Sequence, residues 1–169
     1  VHMSCFCSKH KLLELANHAI THYYQRVPFV RNHPQAIDLD MLVMELMGGS
    51  VKMFPLSKDG SVLGMTAHER LTVRMKLEDG TDIRDTLRPK DIVVDSSLAG
   101  FHNTGVRNFT LAHEIGHQLL HIYYPLLALS DQLEEDCADI IAEGLLLPEC
   151  LVRASMAFFQ SPDTLSHIS

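Results

Sequence analysis

The run His113-Glu114-Ile115-Gly116-His117 sets two histidines four positions apart with a glutamate beside the first. In an α-helix, residues i and i+4 differ by about 40° around the axis and about 6 Å along it. Two imidazoles so placed can close on one ion, in the arrangement expected of zinc. Glu114 falls about 60° from His117 around the axis, where its carboxylate can reach a water activated by the ion without being a ligand. That is the mechanical content of the metalloprotease signature HExxH. A catalytic ion of this kind takes three protein ligands and keeps one position open, and the reaction also needs a donor for the developing oxyanion.

Eleven histidines make an accidental HExxH less negligible than usual, so the elements around it carry the weight. Leu111, Ile115, Leu119 and Ile122 recur at helical period within about 80° of one another, a core-facing stripe nearly opposite the histidines. Something bearing a third ligand must then cover the histidine face. A second helix is expected over Gln132 to Leu147, capped by Ser130 or Asp131 and with acids in its first turn. On it Glu135, Asp139, Ala142 and Leu146 recur at i, i+4, i+7 and i+11. Glu135 is the preferred third ligand. Asp139, one turn on, is placed to accept the free N–H of a ligand histidine and fix its tautomer. Glu134 competes, but it shares its stripe with Ala138, Ile141 and Leu145, which reads as core, and ordinary acid of a helix start describes it and Asp136. His121 is excluded as a ligand, because about 12 Å of helix rise separates it from His113. It remains, with Tyr123, Tyr124 and His102, a candidate oxyanion donor by nearness in sequence.

The segment Arg107-Asn108-Phe109-Thr110-Leu111-Ala112-His113-Glu114-Ile115-Gly116-His117-Gln118-Leu119-Leu120-His121 resembles the RFTLAHELGHLLLH block of the ImmA/IrrE family of zincin-like peptidases. The later Glu135-Asp136-Cys137-Ala138-Asp139 to Leu145-Leu146-Leu147-Pro148-Glu149 is similar to that family's second block, in the right order and spacing. The resemblance is clear over about residues 91 to 153. Carried across position by position, it implies metal ligands at His113, His117 and Glu135 and a general base at Glu114. Cys137, Asp139 and Ile141-Ala142-Glu143 depart from the family pattern without removing a ligand. The resemblance further implies one Zn2+ per chain, with Mn2+ or another divalent ion also fitting. It implies limited, regulatory proteolysis of a helix-turn-helix repressor encoded beside it on a phage or mobile element. It implies a minimal zincin-like fold in which the HExxH helix packs behind a sheet whose edge strand borders the cleft and can take a substrate peptide as an added strand.

Composition sets the frame. At 169 residues and 46% apolar, the chain can bury one sizeable core. No run of about 18 apolar residues is present to span a membrane. Val1-His2-Met3 reads as an expression leftover, which leaves 4–169 as one domain. Family members tend to continue past this point with a further helix, so the chain's end is read as either a C-terminal truncation or a domain boundary. Four cysteines at no framework spacing, without a signal-peptide pattern, point to reduced thiols in a cytoplasmic protein. Cys137 and Cys150 read as helix-packing residues. His2, Cys5, Cys7 and His10 imitate a metal cluster, but Cys-x-Cys is not a zinc-knuckle spacing, and a frayed terminus is expected. Net charge −7 argues against a nucleic-acid surface.

Helices are expected over Lys9 to Arg26, ended by Pro28, and over Ile37 to Met47, stopped by Gly48-Gly49. Met41, Met44 and Met47 read as core. Strands are expected over Ser50 to Leu56, Leu71 to Leu77, Thr81 to Leu87 and Asp91 to Asp95, with turns at Lys58-Asp59-Gly60 and Glu78-Asp79-Gly80. Ala99 to Val106 reads as a loop. Pro148 starts a helix through Phe159, and Ser161-Pro162-Asp163 looks like the cap of another. The sum is an α+β domain with a small mixed or antiparallel sheet. A metallopeptidase is the leading functional reading. A non-proteolytic metal-binding sensor or scaffold for a regulatory partner is the alternative, against which an intact Glu114 argues, and a direct DNA-binding regulator comes third.

Overall fold

In a computed structural model the described residues are 8–27, 36–76 and 80–159. The expectations on Val1 to Cys7, on Pro28, on Glu78-Asp79 and on Ser161-Pro162-Asp163 lie outside them. Helix α1 (Lys9–Arg26) starts where the Ser8 hydroxyl accepts from the Lys11 amide. It buries Leu12, Leu15, Ala16 and Ala19, the face its period predicts, together with Ile20 and Tyr23. Helix α2 begins as Leu39–Leu42, capped by the Asp38 carboxylate, and widens into a π-helical turn over Val43–Met47. That i→i+5 turn takes Met44 off the 3.6 period on which the methionines were read as core. Met47 is buried and Met41 packs against the core, but Met44 is exposed.

Strands β1 (Val51–Phe54), β2 (Gly64–Thr66) and β5 (Ile92–Asp95) form a mixed sheet in the order β1-β5-β2. β5 runs parallel to β1, with Val51 opposite Ile92, and antiparallel to β2, with Gly64 opposite Val94. β3 (Leu71–Lys76) and β4 (Asp82–Leu87) pair apart as an antiparallel hairpin with Leu71 opposite Leu87. β5 is buried throughout, and its alternation sorts two cores. Ile92 and Val94 join the helices. Val93 faces the other way, with Ala67 and Leu87, against Phe54, Met65 and Val73. β2 was not anticipated, because three residues are too few to show a period.

Two buried aspartates bracket β5. Asp91 accepts from the Ser50 amide and hydroxyl at 2.9 Å each and from the Arg88 amide at 2.8 Å. Asp95 accepts from the amides of Leu56 and Ser97. Burial alone would raise both carboxyls, but these hydrogen bonds outweigh it and hold both below the usual value.

Two 3₁₀ turns, Ser96–Leu98 and Phe101–Asn103, lead into α3 (Thr104–Tyr123), followed by α4 (Asp131–Leu146) and α5 (Glu149–Phe159). The stretch Ala99 to Val106, expected as a loop, thus contains the first turn of α3. Gly105 lowers local helix propensity, which is why this turn read as loop, yet the helix starts before it. Leu111, Ile115 and Leu119 are buried as the stripe requires, while Ile122, in the last turn, is exposed. α4 packs on both α3 and α1. The result is an α+β fold with a small mixed sheet against the long helix that carries HExxH. Among the described residues no helix is long and apolar enough to cross a membrane.

Candidate metal centre

The site is built where α4 crosses α3. At Gly116 the two backbones come so close that a Cβ would lie 2.8 Å from the Ala138 carbonyl oxygen. Only glycine allows this approach, and it lays the first turns of α4 over the histidines. Ser130 caps α4 at the Leu133 amide, and Asp131 and Glu134 complement the helix dipole in its first turn.

Three ligand atoms converge. His113 Nε2 lies 3.0 Å from His117 Nε2 and 3.1 Å from Glu135 Oε2, and His117 Nε2 lies 3.5 Å from Glu135 Oε1. One such atom from each residue falls within 4.8 Å of the others. The far side of each ring faces a carboxylate: His113 Nδ1 is 2.8 Å from Asp139 Oδ1, and His117 Nδ1 is 3.1 Å from Glu134 Oε1. Each Nδ1 therefore carries the proton and donates it, which leaves a lone pair on each Nε2. Two lone pairs and a carboxylate oxygen then point at one spot with no proton to share. A cation resolves that repulsion. A tetrahedral ion with bonds of about 2.0–2.1 Å separates its ligand atoms by roughly 3.3 Å, which matches these spacings. The donor set fits a first-row divalent ion.

Glu114 is buried, 8% exposed, beneath the edge strand. A Cβ on Gly64 of β2 would sit 2.6 Å from its Oε1, so the strand backbone runs against the carboxylate. Burial pushes the Glu114 carboxyl up to about 7, with His113 opposing and Glu135 adding to the rise. Farther along, Gln118 Nε2 donates to Thr66 Oγ1 and to the Ala67 carbonyl, pinning the end of β2 along α3. This buried amide was not singled out in the sequence, and only its place one residue past HExxH hints at it.

Glu134 is the main residue that sequence reasoning misjudged. Its stripe-mates Ala138, Ile141 and Leu145 are buried as expected. Glu134 itself stands at the end of that stripe where α4 meets the histidine face, and it bonds to His117 instead of serving only the helix start.

Of the candidate oxyanion donors, His121 has its ring 4.5 Å from that of His68, which follows β2. Tyr123 bonds to His18 on α1. Tyr124 packs on the main core, and His102 sits beside Phe101. None of these three makes a hydrogen bond to the histidine–carboxylate cluster. His68 carried no sequence signal. Partial desolvation and the neighbouring His121 push its imidazole below the usual value, and Glu134 opposes them. Arg107 forms a two-pronged pair with Asp40 at 3.0 and 2.7 Å, tying the start of α3 to α2. Cys137 is buried in the core, whereas Cys150 is exposed and does not pack as expected. A cavity of about 630 Å³ opens elsewhere, between α1 and α5, lined by Tyr24, Cys150 and Arg153 among others. It touches none of the metal-centre residues, so the chemistry is assigned to the face where α3 and α4 bring His113, His117 and Glu135 together.

Sequence comparison agrees with the geometry. The model of a peptidase family, described as the IrrE N-terminal-like domain, matches residues 66–167. Neither the curated proteins nor the solved structures yield a match.

Proposed function

This chain belongs to the IrrE N-terminal-like family of metallopeptidases, and we propose that it is a zinc-dependent endopeptidase performing limited, regulatory proteolysis in the cytoplasm. The observation that carries this reading is the convergence of His113, His117 and Glu135 on one point, with both Nδ1 atoms held by carboxylates and Glu114 buried alongside. A divalent ion held by those three residues, zinc first and manganese as a substitute, would polarise the scissile carbonyl and acidify a water. Glu114 would take a proton from the attacking water and hand it to the leaving amine, a task suited by a carboxyl raised toward neutrality. Asp139 and Glu134 hold the histidine tautomers. Among the described strands β2 lies at the edge, bonded to β5 alone. Its outer edge can take an extended substrate segment as an added strand, which would lay the scissile bond along α3. The substrate proposed from the family resemblance is a helix-turn-helix repressor, cleaved in an anti-repressor role.

The test is incubation of the zinc-loaded chain with the repressor encoded beside its gene, with and without chelator. Chelator-sensitive fragments that disappear with Glu114→Gln are expected. A stable complex without cleavage would favour the non-proteolytic sensor instead. A chain that takes up neither zinc nor manganese would end both readings.

A further inference from the structure

Three polar side chains of α3 are buried in a row. Thr110, Glu114 and Gln118 stand at i, i+4 and i+8 and so share one face of the helix. β2 lies along that face. A Cβ on Gly64 would meet Glu114 Oε1 at 2.6 Å and Thr110 Cγ2 at 2.7 Å. Two residues on, Gln118 Nε2 donates to Thr66 Oγ1 and, at 2.9 Å, to the Ala67 carbonyl. Two strand residues advance about 6.6–6.8 Å and four helix residues about 6 Å. Strand and helix therefore keep step, with Gly64 against Glu114 and Thr66 against Gln118.

Pairing with β5 decides which backbone groups of β2 remain free. The Asp95 amide donates to the Leu63 carbonyl and the Ala67 amide to the Asp91 carbonyl. Bonded and non-bonded positions alternate in an antiparallel pair, so Leu63, Met65 and Ala67 turn their backbone groups toward β5. The N–H and C=O of Gly64 and Thr66 then point to the outer edge, where none of the described strands pairs. An added strand would bond to those groups. The Ala67 carbonyl also accepts from the Lys90 amide at 2.7 Å, so an apolar residue at position 118 would orphan no backbone group there. Leucine would moreover avoid the cost of burying an amide. It could not fix β2 along the helix axis, because apolar contact is non-directional and a hydrogen bond is not.

We propose that Gln118 is a positioning residue, holding β2 at the one register along α3 that sets the free backbone groups of Gly64 and Thr66 beside the metal centre for an extended peptide. It touches neither the peptide nor the ion. This role rests on the peptidase reading for its substrate, whereas the hold on the edge strand is tested by binding alone.

The experiment compares two hydroxamates by calorimetry on the zinc-loaded full chain. Acetohydroxamate reaches the ion alone. Acetyl-trialanine hydroxamate also extends a backbone along β2, with side chains too small to add much. On the unaltered chain the tripeptide should bind about tenfold or more tighter, the worth of one or two hydrogen bonds. Gln118→Leu should lose most of that margin and Thr66→Val part of it, while Thr66→Ser keeps it. Zinc content, acetohydroxamate affinity and the denaturation midpoint should stay unchanged in all three. A residue serving stability alone would move the midpoint and leave the margin. Thr66→Val against Thr66→Ser decides alone if Gln118→Leu does not fold. An unchanged margin in both Gln118→Leu and Thr66→Val would overturn the proposal, as would an unaltered chain that shows no margin. If the repressor is cut and the margin does not move, the peptidase reading stands and Gln118 loses this role. If the margin behaves as expected and nothing is cut, Gln118 positions a binding edge and the peptidase reading falls.

Discussion

Helix α4 makes two contacts of the same kind and puts them to different use. Toward α3 it approaches at Gly116, where a Cβ would meet the Ala138 backbone; toward α1 it approaches at Gly144, where a Cβ would lie 2.8 Å from Ala16 Cβ and 3.1 Å from Leu13 Cδ2. The α1 contact is otherwise apolar, with Leu12, Ala16, Ile141 and Leu145 buried and one exposed pair, Lys9–Glu143, at its rim. The α3 contact carries four histidine–carboxylate approaches to two imidazoles. Close packing by a small residue is thus a general device here. What makes one contact a site is which residues the closeness brings within hydrogen-bond reach. The part of α4 through Asp139 supplies carboxylates to the histidines, and the part beyond it supplies bulk to the core.

The contrast can be broken at several points. The largest effect is expected for Glu114→Gln, which touches neither helix contact: turnover of a cleaved peptide should fall roughly 10²–10⁴-fold while zinc content by elemental analysis stays at wild-type level. Next come Asp139→Asn and Glu134→Gln, each expected to weaken zinc binding about 10–100-fold in competition with a chromophoric chelator. Unchanged affinity in both would mean that the carboxylates on the α3 side are ordinary helix-start acids. The sharpest comparison is Gly116→Ala against Gly144→Ala. Each should cost about 1–3 kcal/mol in denaturant melts, as overpacking does. Zinc affinity should drop only for Gly116→Ala, and equal losses would erase the distinction between the two contacts.

The smallest effect serves as a control away from both helix contacts. Asp91 and Asp95 are held below their usual pKa in the folded chain. The unfolded chain therefore binds protons first as pH falls, so their contribution is complete above about pH 4. It is lost as pH drops through the lower folded value. Asp91→Asn should cost about 1–3 kcal/mol at neutral pH by loosening the three hydrogen bonds from Ser50 and Arg88. It should also flatten the acid side of a Tm-against-pH curve. An unaltered acid limb would remove Asp91 from that role.

Much of the site was legible because it lies on helices. His113, Glu114 and His117 share a face by backbone geometry alone, and Glu135 and Asp139 share one by the same rule. The strands with a clear period or a β-branched run, β3 to β5, were legible too. What escaped reading was short or polar in an unexpected place. β2 has three residues, Gly105 masked the first turn of α3, and the π turn moved Met44 outward. Glu134 was misjudged because its stripe is apolar everywhere except at the end where it meets a histidine.

The chain's sequence by itself determined the spacing of His113 and His117, the glutamate beside them, the acids one turn apart on a later helix and the class of chemistry such a set suits. These are local relations, set by 3.6 residues per turn. Only the tertiary structure decided that Glu134 takes His117 while Asp139 takes His113, that β2 lies over Glu114, and that His68 meets His121. Those pairings join residues from distant parts of the chain. They depend on the closeness and angle of packed elements, which the bare Cα of Gly116, the Gln118 amide on β2 and the two buried faces of β5 settle together.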